Sequence, residues 1–473
     1  MSIRSTRREL LSYLGAGTFL VAAPKFVMAV EPDPWERARN IARTVKAPEF
    51  PARDFLVTEF GAKGDGMTKN TAAFAAAIEA CVQAGGGRVV VPEGQFLTGA
   101  IRLKSNVNLH VTENATILFS TDPADYPIVF TRWEGTECMN YSSLVYAHKE
   151  KNVAITGKGT LDGQASSEHW WWMKGRTAFG WHTGMPNQAK SRAALFKMAE
   201  DGVPVEQRVF GDGHYLRPPL LQPYDCENVL IEGVKLRRSP FWHIHPVLCR
   251  NIIVRGVDIF SHGPNTDGCD PESCSAMIIE DTVFDTGDDC IAVDSGRDAD
   301  GRRVGVASRD ILIRNCEMKA GHGGIGIGSV IAGGAHHVFA ENCRLDSPDL
   351  MYALRFKNNA ARGGLLEHFY YRDIQVGQVS KAVINCDFNY EEGADGKFKP
   401  ILRNIRIERL KVTQAKQVMD SQGLPGSPVS DIELIDCQFD GVTEPSILKF
   451  TERLTLKNVS VNGQKASSLE AAR

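Results

Sequence analysis

The sequence predicts an all-β chain wound as a parallel β-helix, with one helix capping its amino-terminal end. Two observations carry this reading: a strand pattern repeated through the second half of the chain, and a lone amphipathic helical stretch ahead of it. The segments "NVLIEGVKL" at Asn228, "NIIVRGVDI" at Asn251, "AMIIEDTVF" at Ala276, "DILIRNCEM" at Asp310 and "HVFAENCRL" at His337 align, and so do "HFYYRDIQV" at His368, "NIRIERLKV" at Asn404, "DIELIDCQF" at Asp431 and "RLTLKNVSV" at Arg453. "NVAITGKGTL" at Asn152 is an earlier member. Each opens on a mostly polar residue, alternates apolar and polar, turns at a polar or glycine residue and resumes on an apolar one. Short bursts of alternation mark strands with one buried face. Starts 22 to 36 residues apart mark stacked coils of about three strands each. A doubly wound sheet would need a helix between strands, and these intervals are too short and too glycine-rich.

The helix lies in "NTAAFAAAIEACVQAGGG". Asn70 or Thr71 can cap it, Phe74, Ile78, Cys81 and Val82 share a face, and Gly85 stops it. Placed before the first coils, it would cover the open end of a solenoid whose bare strands invite pairing. Residues 30–50 are charged and proline-bearing, and read as a linker or an edge strap. Residues 51–465 then form one β-helix domain, with an aromatic-rich insertion at about 164–219 that holds Trp170, Trp171, Trp172 and Trp181. Aromatic rings stack on sugars and also fill cores, so the sequence leaves their role open. Trp242, His243 and His245 in "SPFWHIHPV" read as groove lining or core, since no cysteine or carboxylate ligand motif accompanies the histidine pair.

Composition is that of a globular protein, 43% apolar and 23% charged. Residues 1–29 combine Arg7-Arg8, a modest apolar run from Leu10 to Ala23 and a small-residue end, the order of a twin-arginine export signal. That segment carries four basic residues and one acidic, so the remainder has 50 basic against 56 acidic, a net charge of −6. An acidic mature chain excludes a basic nucleic-acid binder, and without an apolar run of about 20 residues no membrane span is expected in it. The 11 cysteines are odd in number and irregularly spaced. Cys316, Cys343 and Cys437 share the position just after the turn, which reads as a buried thiol column.

Chemistry concentrates in "NTDGCDPESCSAMIIEDTVFDTGDDC", residues 265–290. Asp267 precedes Asp288 by 21 residues, close to one coil, and coils stack about 4.8 Å apart. Asp267 is therefore expected beside the Asp288–Asp289 pair. His322, in "GHGG", lies 12 residues past its repeat start, as Asp288 does past its own. The next coil brings Arg355 and Lys357 of "RFK" to the same side. Alone, an Asp-Asp turn is usually a solvated loop and Arg-x-Lys a surface pair; four such motifs at matching phase form a groove. Crowded acids keep one proton available near neutral pH, as glycoside hydrolysis requires. Two cations beside them suit a substrate that carries carboxylates.

"NTD", "GDD", "GHG" and "RFK", in this order, resemble the polygalacturonases of glycoside hydrolase family 28, and the resemblance runs from about Glu59 to Val461. It implies a right-handed β-helix, inversion at the anomeric carbon, no metal or other cofactor, and an acidic plant cell-wall polysaccharide or its oligogalacturonides as partner. It implies Asp288 as general acid, Asp267 and Asp289 as the pair that holds and deprotonates water, and His322 as support for the acid. Arg355 and Lys357 would bind a galacturonate carboxylate, with Tyr390 and Asn265 as further substrate contacts. An acid and base flanking both sugar and water would stand about 6.5–9.5 Å apart. Two positions depart from the family pattern: Asp294, where lysine or asparagine is common, and Val330, where an acid is common. His322 favours galacturonan over rhamnogalacturonan, while exo and endo action stay open. A calcium-dependent pectate lyase on the same fold and a non-catalytic β-helix adhesin are the alternatives.

Replacing both Arg7 and Arg8 by lysine is expected to hold the protein in the cytoplasm. Fractionation that finds unchanged periplasmic activity would argue against this export route.

Overall fold

The computed structural model describes residues 33–470; the export signal read at residues 1–29 lies outside them. Residues 34 onward form one unit, a right-handed parallel β-helix. Among the described residues it has a 13-stranded parallel sheet, a 14-stranded sheet closed by one antiparallel strand, and a third face of three and six strands. The predicted repeats are in register. Val229, Ile252, Met277, Ile311, Val338, Phe369, Ile405, Ile432 and Leu454, each one residue past a predicted start, pair coil on coil in the first sheet.

The mostly polar start has a backbone cause. Asn228, Asn251, Ala276, Asp310, His337, His368, Asn404, Asp431 and Arg453 all have φ between 53° and 63°. A second left-handed column lies five residues on, at Gly233, Gly256, Asp281, Asn315, Asn342, Asp373, Arg409, Asp436 and Asn458. Asparagine, aspartate and glycine tolerate that conformation best. Their side chains also ladder between coils: Asn251 Nδ2 donates to Asn228 Oδ1 at 2.7 Å, and Asn228 to Asn152 at 2.8 Å. The ladder satisfies side-chain groups that would otherwise compete with the strands for backbone partners.

One feature of the repeats differs from the one-face reading. "VLI", "IIV", "MII", "ILI" and "VFA" are apolar at three successive positions because both faces of these strands are buried. Val229, Ile252, Met277, Ile311 and Val338 point into the solenoid core. Ala154, Leu230, Ile253, Ile278, Leu312 and Phe339 point outward and are covered by helix α1, Trp35–Thr44. Residues 30–50, read as a linker or edge strap, thus contain a helix lying on the face of the sheet. Trp35 sits 5.6 Å from the Phe339 ring, Arg372 lies 3.8 Å over the Trp35 ring, and Arg37 meets Asp310 at 2.6 Å.

Helix α2, Thr71–Gln83, buries Phe74, Ala77, Ile78 and Cys81 against the first coils, as a cap should, while Val82 faces solvent. Asn70 makes no side-chain cap; its amide instead ties Lys63, Thr68 and Leu97 together. All 11 cysteines are free and buried, and Cys226, Cys249 and Cys274 form a second thiol column, on successive coils, that the spacing did not reveal. Two excursions leave the coils on one side. A hairpin (Ile128–Trp133 and Thr136–Tyr141) leaves one coil. The insertion leaves the next and carries helix α3, Ala189–Glu200. Among the described residues no helix is long and apolar enough to cross a membrane.

Trp35→Ala removes the ring that anchors α1, a loss of about 3 kcal/mol of docking. Limited proteolysis should then cut faster at Arg37, Arg39 or Arg43 while the coils stay folded; an unchanged cutting rate would mean α1 is held by other contacts.

Candidate active site

Regular pairing on the third face thins to isolated bridges at Ile244 and Cys269 before strand pairing resumes at Ile291–Val293. Asp267 precedes the Cys269 bridge, and Asp288 and Asp289 precede the strand. Their side chains leave from the same edge one coil apart, and one oxygen from each of the three carboxylates lies within 4.8 Å of the others. The three groups can therefore act on one small volume. The cause is geometric: parallel side chains on neighbouring coils keep the inter-coil spacing.

His322, on the strand Gly321–Ile327, places Nδ1 2.7 Å from Asp288 Oδ1. Arg355 and Lys357 end the strand Leu350–Lys357. Arg355 Nη1 donates to Asp289 Oδ1 at 3.2 Å, and Lys357 Nζ donates to Asp289 Oδ2. Gly323 makes room for this: a Cβ there would come within 2.8 Å of Asp289 Oδ1. Asn265, at φ 56°, donates to Asp288 Oδ2 at 3.3 Å. Tyr390 puts its ring 5.6 Å from Lys357 Nζ and 5.7 Å from the Arg355 guanidinium. All eight residues selected from the sequence are therefore adjacent.

The protons are distributed unevenly. Burial, then the charges of Asp288 and Asp289, push Asp267 well above the usual carboxylate range. Burial also acts on Asp288, but the His322 hydrogen bond and charge, helped by Lys357 and Arg355, outweigh it and hold Asp288 low. His322 is raised by that same hydrogen bond against the effect of burial. Asp267 and Asp288 are thus shifted in opposite directions, and the acid expected from the motif, Asp288, is the ion-paired one.

Arg217 and Asp270 are neighbours of the site that escaped the sequence reading, and Asp294 entered it only as a departure from the family pattern. Arg217, fully buried, donates to Asn265 Oδ1 at 3.0 Å and to the Pro240 and Pro264 carbonyls at 2.8 Å, fixing the loop that carries Asn265 and Asp267. It lies in the insertion, where no repeat flags it. Asp270 is buried with both carboxyl oxygens unpartnered, and burial raises it well above the usual range. Asp294 is raised by burial and accepts from the Val330 N–H at 3.0 Å. The hairpin tip presses on Val330, where a Cβ on Gly135 would meet Val330 Cγ1 at 1.9 Å. The two departures from the family pattern therefore share one spot beneath that tip.

The site opens into a cavity of about 250 Å³. Its far wall joins four segments through ions: Arg192 of α3 meets Glu134 of the hairpin at 2.6 Å, and Glu391 receives Arg192 and Arg297 at 3.1 Å each. Phe179 and Trp242 line the cavity, whereas Trp170 is core and Trp171 and Trp172 pack against that core. His243 and His245 are buried, the first against the Asp267 carbonyl at 2.8 Å and the second against Glu272 at 2.8 Å.

A carboxyl raised by burial contributes its full share of stability only below its unfolded value near 4, and loses it as pH climbs toward the folded value. Asp267, Asp270 and Asp294 share that sign. Asp270→Asn removes one such loss, so its Tm should exceed that of the wild type by a few degrees at pH 7.5, with the gap closing near pH 4. Melts that run parallel at both pH values would show that Asp270 ionises freely.

Residues 212–464 match the family model for glycosyl hydrolases family 28, and residues 55–122 match that for rhamnogalacturonase A/epimerase, pectate lyase-like. The structure is similar to that of a hyperthermoactive exopolygalacturonase from Thermotoga maritima, at 46% identity and TM-score 0.89, covering 91% of this chain and 96% of that one. A family 28 exopolygalacturonase from Yersinia enterocolitica superposes at TM-score 0.71 with 21% identity, over 88% and 76% of the two chains. A probable polygalacturonase from Vitis vinifera is 28% identical over 397 residues, 80% of this chain and 73% of that protein. With the motif residues gathered in one cleft and the family match spanning the coils that hold them, the chain belongs to glycosyl hydrolases family 28.

Proposed function

We propose that the protein is a polygalacturonase that hydrolyses α-1,4-galacturonosyl linkages of polygalacturonate or its oligosaccharides from a chain end, with inversion. One observation carries this most: three carboxylates converge within 4.8 Å, one paired with an imidazole and one held by two cations, at the edge of an acid- and cation-lined cavity. The similarity to the Thermotoga maritima exopolygalacturonase supports the substrate class. The ionic wall that closes one side of the cavity supports end-directed action. An extracellular polysaccharide substrate agrees with the export signal read at residues 1–29.

Asp288 is the acid in this reading because it alone of the three is not fully buried and so can reach a leaving oxygen. Asp289 is a poor nucleophile, since Lys357 and Arg355 occupy its oxygens, and Asp267 is buried. A water, which needs less room than either side chain, makes the attack. Asp288 gives its proton to the leaving oxygen, and Asp267 with Asp289 takes one from the water. The resting arrangement, with Asp267 protonated and Asp288 ionised, is then the state left after a turnover. Reset moves one proton from Asp267 to Asp288. A substrate carboxylate drawing on the field of Lys357 and Arg355 favours that transfer, because it weakens the cationic part of what holds Asp288 low while the His322 pairing remains.

The convergence of three carboxylates on one spot favours a second reading, retention through a covalent intermediate. Proton NMR of the first turnovers separates the two, with inverted product expected. Asp288→Asn should lose orders of magnitude in rate yet be partly rescued by a substrate with a very good leaving group; Asp267→Asn and Asp289→Asn should not be. Equal rescue of all three, or a retained anomer, would overturn these roles. An unsaturated product lost on adding chelator would make the protein a lyase, and pectin binding without new reducing ends would make it an adhesin.

A further inference from the structure

Of the cations that line the cavity, most are already matched. Arg192 and Arg297 pair with Glu134 and Glu391, and Lys357 pairs with Asp289. Lys174 and Arg176 differ. Among the described residues neither side chain has a hydrogen-bond or ion-pair partner, although both line the same cavity as Asp267, Asp288 and His322. Lys174 is half-buried, and the charges it feels include Glu134 and Asp288. A desolvated ammonium without a counter-ion is costly and is retained where a ligand supplies the missing charge.

The backbone that presents Lys174 is held with unusual firmness for a loop. Trp170 adopts φ 66° and ψ −52°, a conformation that costs a bulky residue energy and persists only where the surroundings impose it. Here they do. The Trp170 ring is buried 5.7 Å from Tyr126, the Trp171 indole N–H donates to the Ser239 carbonyl at 2.9 Å, and Met173 is buried. Gly175 ends the turn at φ 80°, and a Cβ there would strike the Asn187 side chain at 2.8 Å. Trp170 and Trp171 thus form a rigid mount for Lys174 rather than a sugar-stacking surface.

Resting on the proposed end-directed action on polygalacturonate, we propose that Lys174, with Arg176 at the cavity mouth, binds the carboxylate of the terminal galacturonate unit. Lys357 and Arg355 answer one substrate charge near the acid cluster, and Lys174 answers another at the walled end. The enzyme therefore reads the charge of the terminal sugar separately from that of the chain behind it. A neutral terminal unit leaves the half-buried Lys174 without a direct counter-ion, so that substrate forgoes the contact.

The test compares trigalacturonate with the same oligomer whose terminal unit alone is a methyl ester. The wild type should prefer the charged oligomer by roughly 10- to 100-fold in kcat/KM, the scale of a charge-assisted contact. Lys174→Met should lose most of that factor on the charged oligomer and little on the ester, so the preference collapses. Lys174→Arg should keep part of it, and Arg176→Gln should shift it in the same direction by less. Unchanged thermal melting confirms that the variants fold. If Lys174→Met slows both substrates equally, or the wild type shows no preference, the assignment of Lys174 is wrong while polygalacturonate hydrolysis stands. If neither oligomer is hydrolysed by the wild type, the functional reading fails and this inference with it.

Discussion

Everything in this molecule depends on the in-register stacking of one coil on the next. Each backbone strand is satisfied by the coil above and the coil below, so the position of a side chain along the solenoid is set by register and not by distance in sequence. Asp267 and Asp289 meet because their strands are neighbours in the ladder. The same ladder brings His322 and then Arg355 and Lys357 within reach from intervals of unequal length. The left-handed columns that open and turn each repeat let every coil bend at the same phase. Without that constancy the acids would drift apart by whole residues.

Electrostatics is the second constraint, and it follows from the first. A spacing of one coil forces carboxylates closer than they would stand in water, so one must keep a proton while another must find a cation. Asp289 finds two and Asp288 an imidazole, and Asp267, with neither, is pushed toward its neutral form. The cations that neutralise Asp289 are also those proposed to receive a substrate carboxylate. Under that proposal, holding the site together and admitting the substrate compete for the same charges.

How much of this could be read from the chain alone depended on whether a residue obeyed the repeat. The coils, the acid trio, His322, Arg355 and Lys357 could be found because periodicity placed them. Both-face burial was partly visible in "IIV" and "ILI", but no pattern announced that α1 would cover the outer stripe. The hairpin at residues 128–141, Arg217, Lys174 and the ionic wall belong to excursions with no period, and their contacts span long sequence gaps. The tryptophans were ambiguous for a different reason: ring-stacking and core-filling use the same residue, and only burial separates them. Proton positions were beyond reach, because Asp267 and Asp288 differ only in what surrounds them.

The excursions also have a consequence for how such an enzyme can change. Because the hairpin and the insertion depart from the coils and return to them in register, their length does not set the coil positions of the acids. The insertion reaches the acid cluster through Arg217, which ties the loop carrying Asn265 and Asp267. Reaction chemistry belongs to the ladder, and the shape of the substrate's berth belongs to the loops. The loops can be lengthened, exchanged or trimmed while the coils keep their register, provided the Arg217 tie to the Asn265 loop is kept. One scaffold can in this way be fitted to polymers of different length and decoration without its catalytic geometry being built anew.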